Sequence, residues 1–262
     1  MSYFDADILD RHAYLDSAAH RLDPRAKVIA TLVFITTVVS YSKYAVSSLA
    51  PFILFPLAMA IIGFVPARLL IRRVLIALPF LVLIGIFNPL IDRTPVAEIG
   101  GLEITGGWIS FVSIMFRGCL CIAAAITLIA TTSFPRVTEA LGALGVPKPF
   151  VTQLMLLYRY LFLLVEESRR MNRARSLRAV TSKTPLAVAS SMLSVLLMRT
   201  MDRGDAVYMA MKARGFDGEM KTSRRMKWRF ADTLFLIIMV TSCVTLRLTP
   251  VTHMIGGLGL KI

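Results

Sequence analysis

Two stretches of this 262-residue chain, 45–67 and 74–91, contain no charged residue at all. Runs of that kind exclude ordinary water-facing loops, and each approaches the roughly 20 apolar residues that a bilayer-crossing helix needs. Cysteine is scarce. Cys119, Cys121 and Cys243 are an odd number in apolar segments without metal-type spacing, which argues against a disulfide framework and against a zinc site. No G-x-x-x-x-G-K-[ST] phosphate loop occurs, so any ATP hydrolysis belongs to a partner. No nucleophile–base or metal constellation is present, which argues against an enzyme. Ionisable side chains are almost missing from the apolar segments, whereas a proton- or ion-driven carrier usually buries several at the membrane midplane. Arg117 is the exception, read as snorkelling to an interface or pairing within the bundle. Residues 1–27 hold five Asp and no apolar core, so they do not read as a secretory signal.

What the chain does have is apolar residues and positive charge. The hydrophobic fraction is 56% and the net charge is +14. Soluble domains average about 45–50% apolar, so this combination points to an all-α, polytopic membrane protein with basic cytoplasmic loops. Five spans are expected: 28–42, 45–67, 74–91, 109–131 and one beginning at 233–246. In "LDPRAK", Asp23 can cap the first helix and Pro24 can occupy its first turn. Lys and Arg number 4, 1, 3, 1 and 18 in the amino-terminal tail, the three loops between spans and residues 132–230. That alternation follows the positive-inside rule. It predicts a cytoplasmic amino terminus, a cytoplasmic 132–230 and an outer carboxyl terminus. Trp108 and Trp228 fall where interfacial anchors belong. His12 and His20 lie in the tail and His253 across the membrane from them, so no metal ligand is assigned. Three segments result: 1–131 with the tail and four spans, 132–230, and 231–262 with the last span.

Residues 132–230 are too long for a passive connection and too apolar for a disordered tail. One helix is expected from Phe150 toward Arg178, apolar first and basic last. A second is expected from about Leu186 to Arg214 with the same polarity, stopped by Gly215 and followed by an Asp217-Gly218 turn. Each ends on an Ala-Arg-small motif: Ala174-Arg175-Ser176 and Ala213-Arg214-Gly215. Cations near helix carboxyl ends are favoured by the dipole alone, which accounts for both arginines without any partner. Their repetition at equivalent positions adds a second reading. The small flanking residues leave each guanidinium open to a two-pronged carboxylate partner. Nine of the 14 Met lie between 150 and 230. They suit either a helical core or a surface that repacks against a partner. "KTSRRMKWR", Lys221 to Arg229, reads as an anchor on anionic lipid rather than a nucleic-acid contact.

Four stretches together resemble the transmembrane (T) component of energy-coupling factor transporters, the cobalt/nickel type in particular. They are "AAHRLDPRAKVIATL" from Ala18, "FNPLIDR" from Phe87, "YRYLFLLVEESRRMNRARSLR" from Tyr158 and "MKARGF" from Met211. The resemblance covers most of the chain; the first arginine motif departs from it in ending on Ser176 instead of glycine. It implies a non-catalytic subunit with no cofactor, in a bacterial inner membrane. Its partners would be two ATP-binding-cassette ATPase subunits and a substrate-binding (S) membrane subunit, with uptake of a transition-metal ion such as cobalt. It further implies that Arg175 and Arg214 each dock on one ATPase, and that the two long amphipathic helices transmit ATP-driven motion. Rival readings are a T component serving a vitamin importer, a stand-alone secondary transporter, and a membrane-anchored scaffold.

Overall fold

The computed structural model describes residues 17–42, 46–92, 95–99, 102–178, 185–218, 220, 226 and 228–248. It is helical apart from one small hairpin. The chain divides into two compact units, one made of 1–140 with 226–262 and the other of 141–225.

The first unit begins with α1 (Ala18–Arg21) and α2 (Pro24–Val39). As expected from the sequence, Asp23 caps α2: its Oδ1 accepts from the Arg25 N–H at 2.9 Å, and Pro24 occupies the first turn. At about 1.5 Å per residue, the 16 residues of α2 reach about 24 Å, short of a roughly 30 Å hydrocarbon layer. The uncharged run 45–67 is not the single span expected. It divides into α3 (Val46–Leu49), a 3-10 turn (Ala50–Ile53) and α4 (Leu54–Ile62). Pro51 and Pro56 each remove a backbone donor within it. Beyond α4, Phe64 takes a positive φ of 51°, and the chain reverses into α5 (Ala67–Gly85).

α5 leads to α6 (Asn88–Ile91), then to strands β1 (Pro95–Ile99) and β2 (Leu102–Thr105), an antiparallel pair absent from the elements expected above. α7 (Gly106–Thr131) is the central helix. Small residues let its neighbours approach, the usual route to helix association where lipid removes the hydrophobic drive. A Cβ at Gly107 would stand 2.6 Å from the carbonyl oxygens of Asn88 and Asp92, so α6 can seat on α7 only with glycine there. The core gathers Phe34, Val38, Leu49, Phe52, Leu120, Ala124 and Cys243, with the Phe34 and Phe55 rings 4.6 Å apart between centroids. α8 (Phe134–Ala143) leaves this unit, and α11 (Phe230–Leu248) completes it.

One end of the first unit is a buried polar clasp. Asp232, 1% exposed, accepts from the Asp23 N–H and from the Arg229 N–H, both at 2.7 Å. The second of these bonds is the reciprocal half of a capping box for α11. Lys27 is equally buried, and its Nζ donates to the Thr131 carbonyl at 2.8 Å. The starts of α2 and α11 and the end of α7 are tied by these bonds.

The second unit consists mainly of α9 (Lys148–Arg178) and α10 (Leu186–Ala213). Both match the helices expected from the sequence to within two residues at either end. Among the described residues, four helices are long and apolar enough to cross a membrane: Ala67–Leu90, Gly106–Thr131, Lys148–Arg178 and Phe230–Leu248. The third coincides with α9, whose apolar first half meets the length requirement while Glu166 to Arg178 carries the charge.

Candidate coupling site

The two arginine motifs end their helices by different means. Arg175 stands within the last turn of α9, half-buried. Its Nε donates to the Asn172 Oδ1 at 3.3 Å, while the Ser176 hydroxyl donates to the Arg173 carbonyl at 2.8 Å. Because α9 runs on to Arg178, Ser176 needs no special backbone, and a serine is tolerated. Arg214 is instead the residue that closes α10. Gly215 follows at φ +76°, donating its N–H to the Lys212 carbonyl at 3.0 Å, and Phe216 donates to the Met211 carbonyl at 3.0 Å. That pair of bonds is a Schellman end, which places its third residue in the left-handed region where glycine carries no Cβ penalty. The glycine of the second motif thus has a backbone reason that the first motif lacks.

The guanidinium of Arg214 is exposed, as are Ala213, Gly215 and Ala174. Arg214 is therefore open to an incoming carboxylate, and the half-buried Arg175 is open on the side its flanking exposed Ala174 and Ser176 leave clear. They are far apart. The turn after Arg214 is tied to the start of α9, where the Thr152 hydroxyl donates to the Gly218 carbonyl at 3.1 Å. Arg175 lies 23 residues further along α9, about 35 Å at the helical rise. Between the ends, α9 and α10 enclose a cleft of about 510 Å³ lined by Glu166, Glu167, Asp202, Arg170, Arg199 and Arg203 among others. Its acidic and basic groups balance. Arg199 Nη1 meets Glu167 Oε1 at 2.5 Å and so bridges the two helices, while Arg170 pairs with Glu166 at 2.6 Å within α9.

α10 buries none of its residues. Leu193, Leu197, Met198 and Met201 are each 61–68% exposed, so methionines that composition alone could assign to a core lie on a surface. Among the described residues, no three His, Cys, Asp or Glu side chains gather as a metal site. His20 is buried, its Nδ1 2.7 Å from the Ser17 hydroxyl. His12, His253, Lys183 and most of the basic run 221–229 lie outside the described residues. Arg117, half-buried, reaches the exposed end of α2, where it donates to the Ser42 carbonyl.

Comparison with known proteins agrees with this architecture. The family model described as cobalt transport protein, CbiQ, matches residues 16–228. An uncharacterized protein of Methanocaldococcus jannaschii is 26% identical over 260 residues, covering 94% of this chain and 88% of its own. The energy-coupling factor transporter transmembrane protein EcfT of Listeria innocua is 27% identical over 259 residues, covering 88% of this chain and 93% of its own. The EcfT protein of Heliobacterium modesticaldum is 29% identical over 237 residues, covering 83% and 87%. With a matched region that takes in both arginine motifs and every helix from α2 to α10, this chain belongs to the cobalt transport protein (CbiQ) family of membrane proteins.

Proposed function

We propose that this chain is the non-catalytic transmembrane coupling subunit of an ATP-driven energy-coupling factor importer, serving uptake of a transition-metal ion, cobalt first. Arg175 and Arg214, with Ala174, Ser176, Ala213 and Gly215 around them, each engage one of two ATPase subunits. The observation that carries this reading is the separation of the motifs, about 35 Å along α9. That span suits two partner molecules rather than one. Segment 132–230 and the amino terminus face the cytoplasm, where ATP is, in line with the basic-residue count. Closure of the ATPase pair pushes on the two helix ends. The Glu167–Arg199 tie at their crossing turns that push into a change of the α9–α10 angle. The exposed Leu and Met face of α10 meets the substrate-binding subunit, and the first and last segments, 1–131 and 231–262, hold the bundle in the bilayer.

The test is co-purification of the ATPase subunits with single Arg175→Ala and Arg214→Ala variants, beside Arg170→Ala and Arg178→Ala controls. Losing one side of a buried interfacial charge pair costs about 2–5 kcal/mol, so each motif variant is expected to weaken assembly roughly 30-fold or more. Lysine is expected to rescue poorly, since it lacks the planar fork. Motif variants that behave like the controls reduce both arginines to ordinary helix ends.

A further inference from the structure

α2 stops short of the hydrocarbon layer's thickness, and its far end is held by two arginines from two other helices. Arg117 of α7 donates through Nη2 to the Ser42 carbonyl. Arg247 of α11 donates through Nη2 to the Ser40 carbonyl at 3.2 Å and lies near the Ser40 hydroxyl at 3.3 Å. The Arg247 guanidinium also covers the Tyr41 ring at 4.5 Å, and the Tyr41 hydroxyl donates to the Leu246 carbonyl at 3.1 Å. Along their own helices, Arg117 is about 21 Å from Thr131 and Arg247 about 25 Å from Phe230. Both therefore stand at one level, at the opposite end of the unit from the Asp232 clasp.

Among the described residues the charge at this level does not balance. A helix carboxyl end offers about half a negative charge, against two guanidinium cations. No Asp or Glu occurs in 33–91, 106–138 or 233–262. Among the described residues neither arginine pairs with a carboxylate. Arg117 Nε is buried with no hydrogen-bond partner. A guanidinium has five N–H donors, and the Ser40 and Ser42 contacts engage only one nitrogen of each. Arginines near helix ends either reach the headgroup level or pair with an opposite charge, and among the described residues no carboxylate of the chain supplies that charge here. The neighbouring surface indicates its source. Val39, Val244 and Leu248 on the adjoining turns are 59%, 47% and 75% exposed, apolar flanks that suit acyl chains, while the exposed Ser40 and Ser42 stand beside the guanidiniums.

We propose that Arg117 and Arg247 form a binding site for the phosphate of a membrane phospholipid, taken from the leaflet nearest the end of α2. A phosphodiester brings one negative charge and accepts the two-pronged arginine geometry, while its chains lie along Val39 and Leu248. The bound phosphate completes the α2 end and lets a 16-residue helix stand in a thicker bilayer by drawing a headgroup inward.

The experiment is native mass spectrometry and thermal unfolding of the full chain, purified in mild detergent and titrated with phosphatidylglycerol. Wild type is expected to retain phosphatidylglycerol through detergent exchange at least 10-fold better than the Arg117→Gln/Arg247→Gln double variant. An Arg68→Gln control is expected to retain it like wild type. Equal retention by the double variant overturns the proposal. A second comparison needs only wild type, in case the double variant fails to fold. Phosphatidylglycerol should raise the melting temperature, and diacylglycerol, which has the chains without the phosphate, should not. Equal stabilisation by diacylglycerol overturns the phosphate site. Stabilisation by inorganic phosphate alone, equal to that by phosphatidylglycerol, overturns the lipid and leaves a free-anion site.

Discussion

α7 and α10 are nearly equal in length, 26 and 28 residues, yet ten residues of α7 are buried and none of α10 is. α7 reaches its burial with small and hydroxyl-bearing residues, among them Gly107, Ser110, Ser113, Ala124, Thr127 and Ala130. α10 carries bulkier side chains, including Leu193, Leu197, Met198 and Met201, and leaves them open. Hydrophobicity therefore does not decide which helix is core. For α7, long and apolar enough to cross a bilayer where lipid is as apolar as leucine, close approach of its neighbours decides, and that needs small side chains. A Leu- and Met-rich helix with no buried face is instead suited to re-pack against more than one neighbour.

The contrast can be broken by a polar deletion. Asp232→Ala removes the carboxylate that accepts from the buried Asp23 N–H and the part-buried Arg229 N–H, each at 2.7 Å. Leaving a buried donor unsatisfied costs about 1–3 kcal/mol, more around charged groups, so a loss of about 2–5 kcal/mol is expected. Asp202 on α10 is exposed, and Asp202→Ala should change stability by no more than about 0.5 kcal/mol. Thermal unfolding of both variants in the same detergent measures the difference. Equal melting temperatures would mean that the clasp is not a stabilising element and that the two units differ less than their burial suggests.

A pair of glycine substitutions sharpens the contrast, because the expected signs are opposite. An added Cβ at Gly107 meets the Asn88 and Asp92 carbonyl oxygens and the Pro89 Cα, all at 2.6 Å. These are backbone atoms that cannot rotate away, so Gly107→Ala should cost about 1–3 kcal/mol through overpacking. At Gly204 of α10 nothing lies within 4 Å. There Ala only raises helix propensity, and Gly204→Ala should stabilise by about 0.5–1 kcal/mol. Limited proteolysis alongside the melting curves would report each change locally. A destabilising Gly204→Ala would show that α10 packs closely after all.

Local chemistry carried much of this fold into the sequence. Asp23-Pro24 marks the start of α2, Pro147 and Pro149 bracket the start of α9, and Gly215 ends α10, because caps and stops act through neighbouring backbone groups. Long-range geometry was not legible. Asp232 reaches Asp23 across 209 positions, and Arg117 and Arg247 converge on one turn from two other helices, with nothing in their local context to signal it. The division of 45–67 did carry a signal, Pro51 and Pro56, which the uniform lack of charge outweighed. The strands 95–99 and 102–105 also carried a signal, Gly100-Gly101 between them and the alternation of Leu102 to Thr105, which the apolar runs on either side overshadowed. At the candidate site, the arginines and their helix ends were readable, whereas their separation depends on the Thr152–Gly218 bond, a contact between distant elements.

The smallest expected effect separates the two arginine motifs themselves. At Gly215 the φ of +76° charges any Cβ-bearing residue about 1–2 kcal/mol, so Gly215→Ala should loosen the Phe216–Met211 and Gly215–Lys212 bonds that close α10. Ser176 lies inside a continuing helix, so Ser176→Gly, which makes the two motifs identical in sequence, meets no backbone barrier. It should cost only about 0.5 kcal/mol through lower helix propensity. Amide hydrogen exchange reads both changes at the residues concerned. Gly215→Ala should speed exchange in the last turn of α10 by about 10-fold, since about 1.4 kcal/mol is one decade. Ser176→Gly should speed exchange near Leu177 by about twofold. ATPase co-purification then separates posture from contact. If Arg214 works because the Schellman end holds it in place, Gly215→Ala weakens assembly while Ser176→Gly leaves it unchanged. Equal exchange in the two helix ends would mean that both motifs are held alike and that the glycine has no backbone role.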